Sequence, residues 1–227
     1  MTDPLRIAAN VASVRSEIAE ACARRGRDPA GITLMAVTKH EPPEVLDALR
    51  QVGIRDFGEN RIEHLVEMVA HAQSGDRWHY IGRVQGRQLA KLAPLVDALH
   101  SLCDPAHVER LARVLGSGDF DLPRLPVYVQ VNTSGEAAKA GLAATGLPSL
   151  LAAVRAHPAL EPVGLMTMAP ELGTQADEAG VRATFIRLRE LAEENGLAGL
   201  SMGMSGDLAI AVEEGATVVR VGSRLFV

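Results

Sequence analysis

The fold is decided by the stretch ITLMAVTKHEPPEVLDALRQVGIRDFGE, residues 32–59. It opens with the apolar run ITLMAVT (32–38), continues through the segment PEVLDALRQVG with helical periodicity, and closes with a second strand-like run, IRDFGE (54–59). The helical segment ends on Gly53, and glycine is a common helix-stop residue. A strand, a helix and a strand in this order predict a βαβ unit with parallel strands.

The same alternation continues to the end of the sequence. Six further strand-like segments follow: RWHYIG (77–82), DALHSL (97–102), PVYVQVN (126–132), PVGLMTM (162–168), GLSMG (199–203) and TVVRVG (217–222). Eight strand–helix units in 227 residues match a (β/α)₈ barrel at the compact end of its size range. A doubly wound sheet usually has about five to seven strands, and no GxGxxG motif follows the first strand. We therefore predict an α/β fold, a single (β/α)₈ TIM barrel.

An additional helix precedes the first strand. Apolar residues at helical spacing place one face of it toward a core: Ile7, Val11, Val14, Ile18 and Ala21. We predict one domain over residues 1–227, in which residues 1–26 form an N-terminal helix packed on the barrel.

Composition narrows the classes of function. The formal charge of −5 gives no overall attraction to nucleic acid or anionic lipid, and 3% aromatic residues are too few for a series of base-stacking platforms. No apolar run approaches the ~20 residues of a membrane span. Two distant cysteines, Cys22 and Cys103, fit a reducing cytoplasm. The histidines show no HxH or HExxH spacing, so we expect no metal site. The sequence predicts a cytoplasmic protein that binds neither nucleic acid nor membrane.

Lys39 is the most informative candidate for chemistry. The chain contains three lysines and twenty arginines, so a lysine directly after the first strand suggests a need for an amine. Only lysine can condense with an aldehyde, and desolvation at a barrel mouth favours the free amine. The same position also suits a lysine that simply extends from a strand end into solvent.

The segment SMGMSGD (201–207) has the composition of a phosphate-binding loop. Its glycines let backbone N–H groups approach an anion, and Ser205 could cap the following helix. Gly222 and Ser223 follow the eighth strand and offer a second set of donors, in the loops that commonly bind phosphate in such barrels. Two ordinary βα turns are the alternative interpretation.

Active sites of TIM barrels lie at the carboxyl ends of the strands. The other candidates at those ends are Glu59, Asn60, Gly82, Arg83, Gln85, Asn132, Thr133, Ser134, Met166, Thr167, Met168 and Arg220. The turn at residues 132–136 could equally be a local network in which Glu136 contributes to a capping box. Among the histidines, we expect His40 and His79 to reach the barrel mouth.

Six segments together resemble a known family. They are LMAVTKH (34–40), FGENRIEHL (57–65), WHYIGRVQGRQ (78–88), VNTSGEAAKAGL (131–142), GLMTMAP (164–170) and LSMGMSGDLAIAVEEGATVVRVGSRLF (200–226). The chain resembles the YggS/PROSC family of pyridoxal 5′-phosphate (PLP) homeostasis proteins, which are similar to the N-terminal barrel domain of alanine racemase. The segments occur in the family's order and cover essentially the whole chain.

The resemblance assigns roles to the candidates. It implies that Lys39 forms a Schiff base with the cofactor aldehyde, and that the phosphate is held by Ser205, Gly222 and Ser223. Four further residues then lie close to the cofactor or line its pocket: Asn60, Met166, Met204 and Arg220. It implies no catalytic residue. The implied function is a carrier that holds PLP and supplies it to PLP-dependent apoenzymes. A single compact barrel with no obvious dimerisation segment suggests a monomer.

The chain departs from the family pattern at two places. The third motif usually has a histidine and a serine–asparagine–lysine run, where this chain has Arg83, Gly86, Arg87 and Gln88. The SMGMS motif is usually followed by an acidic residue, and Gly206 stands there instead. Neither departure involves Lys39 or the phosphate group.

Two other functions remain open at this stage. One is a PLP-dependent amino-acid racemase, and the other is a barrel that binds a different phosphorylated metabolite with Lys39 as a plain cation. Racemisation needs a base on each face of the substrate, and alanine racemase takes the second from a tyrosine in a separate C-terminal domain. We expect no such domain, because Val227 follows closely on the eighth strand. The chain's tyrosines, Tyr80 and Tyr128, fall inside predicted strands.

Overall fold

Eight parallel strands close into a barrel in the computed structural model, which describes residues 3–116, 124–135 and 140–227. The strands are β1 (Thr33–Val37), β2 (Asp56–Glu59), β3 (Arg77–Tyr80), β4 (Ala98–Leu102), β5 (Leu125–Asn132), β6 (Leu160–Met166), β7 (Gly199–Ser201) and β8 (Val218–Val221). Each pairs with the next along the chain, and β8 returns to β1, where Thr33 lies opposite Val218. The prediction of a (β/α)₈ TIM barrel is confirmed.

Helices and 3₁₀ turns alternate with these strands. The α-helices are α1 (Pro4–Arg24), α2 (Val45–Gln51), α3 (Ile62–Val69), α4 (Leu89–Leu92), α5 (Pro105–Leu115), α6 (Leu147–Arg155), α7 (Glu178–Glu194), α8 (Leu208–Glu213) and α9 (Ser223–Phe226). Aspartates start three of them: the side chains of Asp3, Asp104 and Asp177 accept hydrogen bonds from N–H groups in the first turns of α1, α5 and α7. Such caps satisfy N–H groups that have no partner within the helix. No helix in these described ranges combines the length and the apolar character needed to cross a membrane.

The N-terminal helix packs against α2, α8 and α9. Its predicted apolar face is buried over its whole length: Ile7, Val11, Val14, Ile18 and Ala21. Its polar side reaches the end of the chain, because the Asn10 amide donates to the Val227 carbonyl at 2.8 Å and Arg6 donates to the Phe226 carbonyl at 3.2 Å. The first helix therefore holds the last residues in place.

The strand ends differ from the prediction in small ways. β6 begins at Leu160, two residues before the predicted run, and β7 stops at Ser201 because the chain turns at Gly203, where φ is +93°. A two-residue strand, Leu142–Ala143, pairs with the end of β5 outside the ring and was not predicted. Two residues carry too little periodicity to be recognised in a sequence.

Polar side chains occupy the interior of the barrel. His100 on β4 and Ser201 on β7 come from strands that are not neighbours, yet His100 Nδ1 lies 2.8 Å from Ser201 Oγ. That contact must cross the interior. The apolar core lies mainly between the strands and the surrounding helices, with Phe57, Phe185 and Leu49 among its largest fully buried side chains.

Candidate functional site

A cavity of about 1020 Å³ opens where the carboxyl ends of the strands converge. All eight residues that the sequence assigned to ligand binding line it: Lys39, Asn60, Met166, Met204, Ser205, Arg220, Gly222 and Ser223. They come from five of the eight strand ends and are brought together only by closure of the barrel. Their roles toward a ligand stay predictions at this point.

Hydrogen bonds hold the backbone in place on both sides of Lys39. Before it, the buried Thr38 hydroxyl donates to the carboxylate of Glu59. After it, His64 bridges two groups, with Nδ1 2.8 Å from Glu59 Oε2 and Nε2 3.1 Å from the Glu41 carbonyl oxygen. A backbone carbonyl only accepts hydrogen bonds, so Nε2 of His64 donates to Glu41 and ties α3 to the loop after β1. The bridge links the ends of β1 and β2 and fixes the backbone around Lys39.

Arg220 brings a buried cation to the floor of the cavity. It belongs to β8, and its guanidinium donates through Nη1 to Ser201 Oγ and through Nη2 to the Thr167 carbonyl, both at 2.9 Å. Burial lowers the pKa of Arg220 to about 10, and the charge of Asp207 opposes that effect. A pKa of about 10 leaves the guanidinium protonated at neutral pH.

The loop between β7 and α8 forms one wall. Gly203 adopts a φ of +93°, and a Cβ at this position would lie 2.5 Å from the Cβ of Ala211. The Asp207 carboxylate accepts from the Met204 N–H at 2.6 Å, which folds the loop on itself. Burial raises the pKa of Asp207, with the Met204 N–H and the charge of Arg220 acting against it.

The prediction that Ser205 caps the following helix is wrong. Helix α8 begins at Leu208, and Asp207 occupies the cap position without a capping bond to the helix. The carboxylate is already engaged by the Met204 N–H, because the loop turns more tightly than an ordinary capped start requires. Ser205 is left half-buried at the cavity, with its hydroxyl free of a capping role.

A second wall follows β8 and is tied to the first. The guanidinium of Arg224 donates to the Ser205 carbonyl at 3.1 Å and pairs with Glu17 of α1 at 2.6 Å. Both walls are therefore linked to the N-terminal helix. Sequence reasoning missed Arg224 and Glu17, because 207 positions separate the partners and no local pattern connects them.

Asn60 contributes a polar atom that has no partner. Its Oδ1 is buried and makes no hydrogen bond to any part of the chain that the structure describes. Its backbone carbonyl accepts from the Tyr80 hydroxyl at 3.3 Å, and a Cβ on Gly82 would lie 2.1 Å from the same oxygen. Buried polar atoms are rarely left unpaired in folded proteins, so an orphan beside a cavity marks a place for a ligand donor.

Other strand-end candidates lie outside the cavity lining: Glu59, Gly82, Arg83, Gln85, Asn132, Thr133 and Ser134. The Asn132 side chain accepts from the Ser134 N–H at 3.2 Å, as expected of a local turn network. Glu136, the predicted member of a capping box there, lies outside the described residues. His40 lines the cavity as expected, whereas His79 lies deeper, in the barrel interior.

The loop after β6 supplies lining residues that the sequence did not single out. This loop lines the cavity with residues 169–172 and Gln175. A β-bridge between Leu172 and Ala176 closes the loop on itself. Four further residues line the cavity: Glu41, Asp207, Phe226 and Val227. The length of the connection after the sixth strand was the feature of the sequence that could have indicated these lining residues.

The relatives found by comparison with known proteins agree with one another. The family described as "Alanine racemase, N-terminal domain" matches residues 6–227. The pyridoxal phosphate homeostasis protein of Pseudomonas aeruginosa is 42% identical over 223 residues, covering 97% of this chain and 94% of that protein. The protein of the same name from Escherichia coli K12 is 33% identical over 240 residues, covering 97% and 95%.

Solved structures agree with these relatives. PipY of Synechococcus elongatus, solved with PLP bound, has a TM-score of 0.82 at 31% identity and covers 97% of this chain and 100% of its own. Alanine racemase of Corynebacterium glutamicum has a TM-score of 0.72 at 18% identity, and the match covers 99% of this chain and 60% of the racemase. At that identity the racemase shares the fold alone.

Proposed function

Because this chain belongs to the family of the alanine racemase N-terminal domain and, within it, to the pyridoxal phosphate homeostasis proteins, we propose that it binds PLP in the cavity at the carboxyl end of the barrel. The observation that carries the proposal is the convergence of an amine, a cation, two serines and an orphan amide oxygen on that cavity. In the cell the protein would hold PLP and supply it to PLP-dependent apoenzymes. We also infer a cytoplasmic monomer in which residues 1–227 act as one cofactor-binding domain.

The residues at the cavity suit the chemistry of this cofactor. PLP supplies an aldehyde, which condenses reversibly with an amine, together with a phosphate group. Lys39 offers the amine for a Schiff base, and the loop donors offer hydrogen bonds to the phosphate: Ser205, Gly222 and Ser223. Met166 and Met204 provide apolar lining, and Asn60 provides an acceptor for a polar group of the ring.

Arg220 favours storage over turnover. Its guanidinium has donors and no acceptor, so it can pair only with a ligand atom that accepts a hydrogen bond. If the guanidinium donates to the ring nitrogen of PLP, that nitrogen would stay unprotonated, and the ring would withdraw electrons from a substrate less strongly. Two acceptors, Ser201 Oγ and the Thr167 carbonyl, hold the guanidinium in place at the cavity.

The tyrosines also support a carrier over the second candidate, an amino-acid racemase. Tyr80 donates its hydroxyl to the Asn60 carbonyl, and Tyr128 stacks on His100 with ring centroids 4.2 Å apart. Neither of them lines the cavity. Racemisation needs a second base opposite the lysine, and these tyrosines are engaged elsewhere.

The proposal is tested with Lys39→Ala and a matched lysine variant. Lys91→Ala is the control, because Lys91 is exposed on α4 and lies away from the cavity. Purified wild type loaded with PLP should absorb visible light, and borohydride should fix the cofactor to Lys39. Lys39→Ala should lose this visible absorption band while still binding PLP weakly through the phosphate. Lys91→Ala should behave as wild type.

Two results would contradict the proposal. One is a borohydride adduct on Lys91 or Lys139, detected by peptide mass spectrometry. The other concerns turnover and is measured by exchange of the α-proton of L-alanine in deuterated water with the loaded protein. Exchange within the ordinary enzyme range of about 1–10³ per second would favour the racemase instead.

A further inference from the structure

A chain of hydrogen bonds crosses the interior of the barrel. Arg220 Nη1 lies 2.9 Å from Ser201 Oγ, and Ser201 Oγ lies 2.8 Å from His100 Nδ1. His100 Nε2 is 3.0 Å from His79 Nδ1, and His79 Nε2 is 3.0 Å from Asp56 Oδ1. Each of the five residues is buried. Buried polar groups on strands that face the barrel interior are costly unless paired, so this connected set requires a role.

The chain joins two different cavities. Arg220 borders the candidate PLP site at the carboxyl end. Asp56 and Arg77 border a smaller cavity of about 490 Å³, among residues that begin β1, β2 and β3. There, Arg77 donates to both carboxylate oxygens of Asp56, through Nε at 2.7 Å and Nη2 at 2.5 Å.

One ring proton on each histidine is enough to satisfy every hydrogen bond of the chain. Burial by itself raises the pKa of Asp56, but the hydrogen bonds from His79 and Arg77 outweigh it and hold that pKa below its usual value. Arg77 already donates to both oxygens of this carboxylate, so Asp56 needs no second cation at His79. Burial also lowers the pKa of His100 well below the ordinary histidine value, and the charge of Arg220 acts in the same direction, so His100 is neutral.

Neutral histidines give the chain one direction. Asp56 can only accept, so His79 donates through Nε2 and accepts at Nδ1. His100 then donates through Nε2 and accepts at Nδ1. Its partner there is the Ser201 hydroxyl, which donates its hydrogen and leaves the oxygen to accept from Arg220. Tyr128 stacks on the His100 ring with an interplanar angle of 20° and holds the ring plane.

We propose that Asp56, at the amino-terminal end of the barrel, positions the Arg220 guanidinium in the PLP cavity through His79, His100 and Ser201. Asp56 touches no part of that cavity and acts only through the chain. The carboxylate selects the tautomer of each histidine and thereby presents Ser201 to Arg220 as an acceptor. This inference rests on the proposed function for its consequence, a weaker hold on PLP when the chain is broken.

The first test reads the tautomers in the protein without PLP. Long-range ¹H–¹⁵N spectra of the full chain should show both His79 and His100 as neutral Nε2–H tautomers. In Asp56→Asn, the amide can present either its oxygen or its NH₂ to His79, so the His100 nitrogens should shift toward a tautomer mixture. Asp76→Asn is the matched control, because Asp76 is also buried and paired with arginines, Arg50 and Arg55, but lies outside the chain. It should leave the tautomers unchanged.

The second test measures PLP affinity by titration. Asp56→Asn and Ser201→Ala should each weaken binding about tenfold, and Asp76→Asn should stay within about twofold of wild type. The double variant of Asp56 and Ser201 should bind no more weakly than either single variant, because both break one chain. A purely structural loss would instead combine additively.

Specific outcomes would overturn the inference. These are an Nδ1–H or doubly protonated His79 or His100 in wild type, equal tautomer shifts in Asp56→Asn and Asp76→Asn, or additive affinity losses in the double variant. If the wild type takes up no PLP, the proposed function fails, and the histidine tautomers still decide whether Asp56 controls the chain. The two failures are therefore distinguishable.

Discussion

Gly203 has a φ of +93°, which L side chains rarely adopt, and its α-carbon faces Ala211. The loop that it begins carries Met204 and Ser205 to the cavity. We expect Gly203→Ala to lower the free energy of unfolding by about 1–3 kcal/mol, since it combines backbone strain with a Cβ clash. PLP affinity should fall as well, because the loop must shift. Urea denaturation and PLP titration measure the two effects.

Gly206 in the same loop is the control. A Cβ there would meet nothing within 4 Å, and its φ is not in the left-handed region. Gly206→Ala should therefore change the free energy of unfolding by less than about 1 kcal/mol. Equal losses in the two variants would show that the loop tolerates no side chain anywhere, and the specific argument for Gly203 would be wrong.

Single residues at the cavity were predictable where a strand end or a motif marked them. Lys39, Ser205 and Ser223 each lie within four residues of the end of a strand, so barrel closure brings them together. The bridge from Glu59 through His64 to the Glu41 carbonyl was not predictable, because it depends on how α3 packs against the loop after β1. The buried pair His79 and His100 did leave a signal, since each histidine stands inside a predicted strand where an apolar residue is usual.

At the scale of elements, helix α1 acts as a clamp on the end of the chain. The Asn10 amide donates to the carbonyls of Val227 at 2.8 Å and Leu225 at 3.3 Å. Four residues of this last segment form part of the cavity wall: Gly222, Ser223, Phe226 and Val227. The prediction of an N-terminal helix packed against the barrel came from the spacing of its apolar residues. The clamp was not predictable, because its bonds join positions 215 and 217 residues apart.

We expect Asn10→Ala to loosen this wall without unfolding the barrel. The lost bonds are partly exposed, so the free energy of unfolding should fall by only about 1–2 kcal/mol. Amide hydrogen exchange at Leu225 and Val227 should become faster, and PLP should dissociate several-fold faster. Ser16→Ala, which removes an exposed bond to Glu20 on the same helix, is the control. Matching exchange rates in the two variants would rule out the clamp.

The molecule as a whole places its polar chain where most barrels pack apolar side chains. The eight strands and their order followed from the alternation of strand-like and helical segments, because parallel strands joined by helices have few ways to close. The polar side chains inside the barrel could not be predicted from this alternation. The contact between His100 and Ser201 joins β4 to β7, and strand pairing between neighbours says nothing about which side chains meet across the axis.

The buried histidine makes the stability of the whole molecule depend on pH. The pKa of His100 in the folded protein lies well below its ordinary value, mainly because of burial. In the unfolded chain it titrates near about 6.5, so below that pH the unfolded state binds a proton that the folded state does not. Stability from this group is therefore fully present above pH ~6.5 and is lost as the pH falls below it. Asp56 has a lowered pKa, so its contribution is lost only in more acidic solution, below about pH 4.

The lowered pKa of His100 predicts how the free energy of unfolding changes between pH 7.5 and 5.5. Wild type should lose about 1.4 kcal/mol more over this interval than His100→Gln, the equivalent of one proton taken up by the unfolded chain alone. His100→Gln should be less stable at pH 7.5, because its partners Ser201 and His79 lose their geometry, yet its pH dependence should be flatter. His71→Gln replaces an exposed histidine and should keep the wild-type dependence. Urea unfolding at three pH values measures all three proteins. A wild-type dependence in His100→Gln would mean that His100 gains its second proton as readily in the folded protein as in the unfolded chain, and that its Nδ1 donates to Ser201 instead of accepting from it.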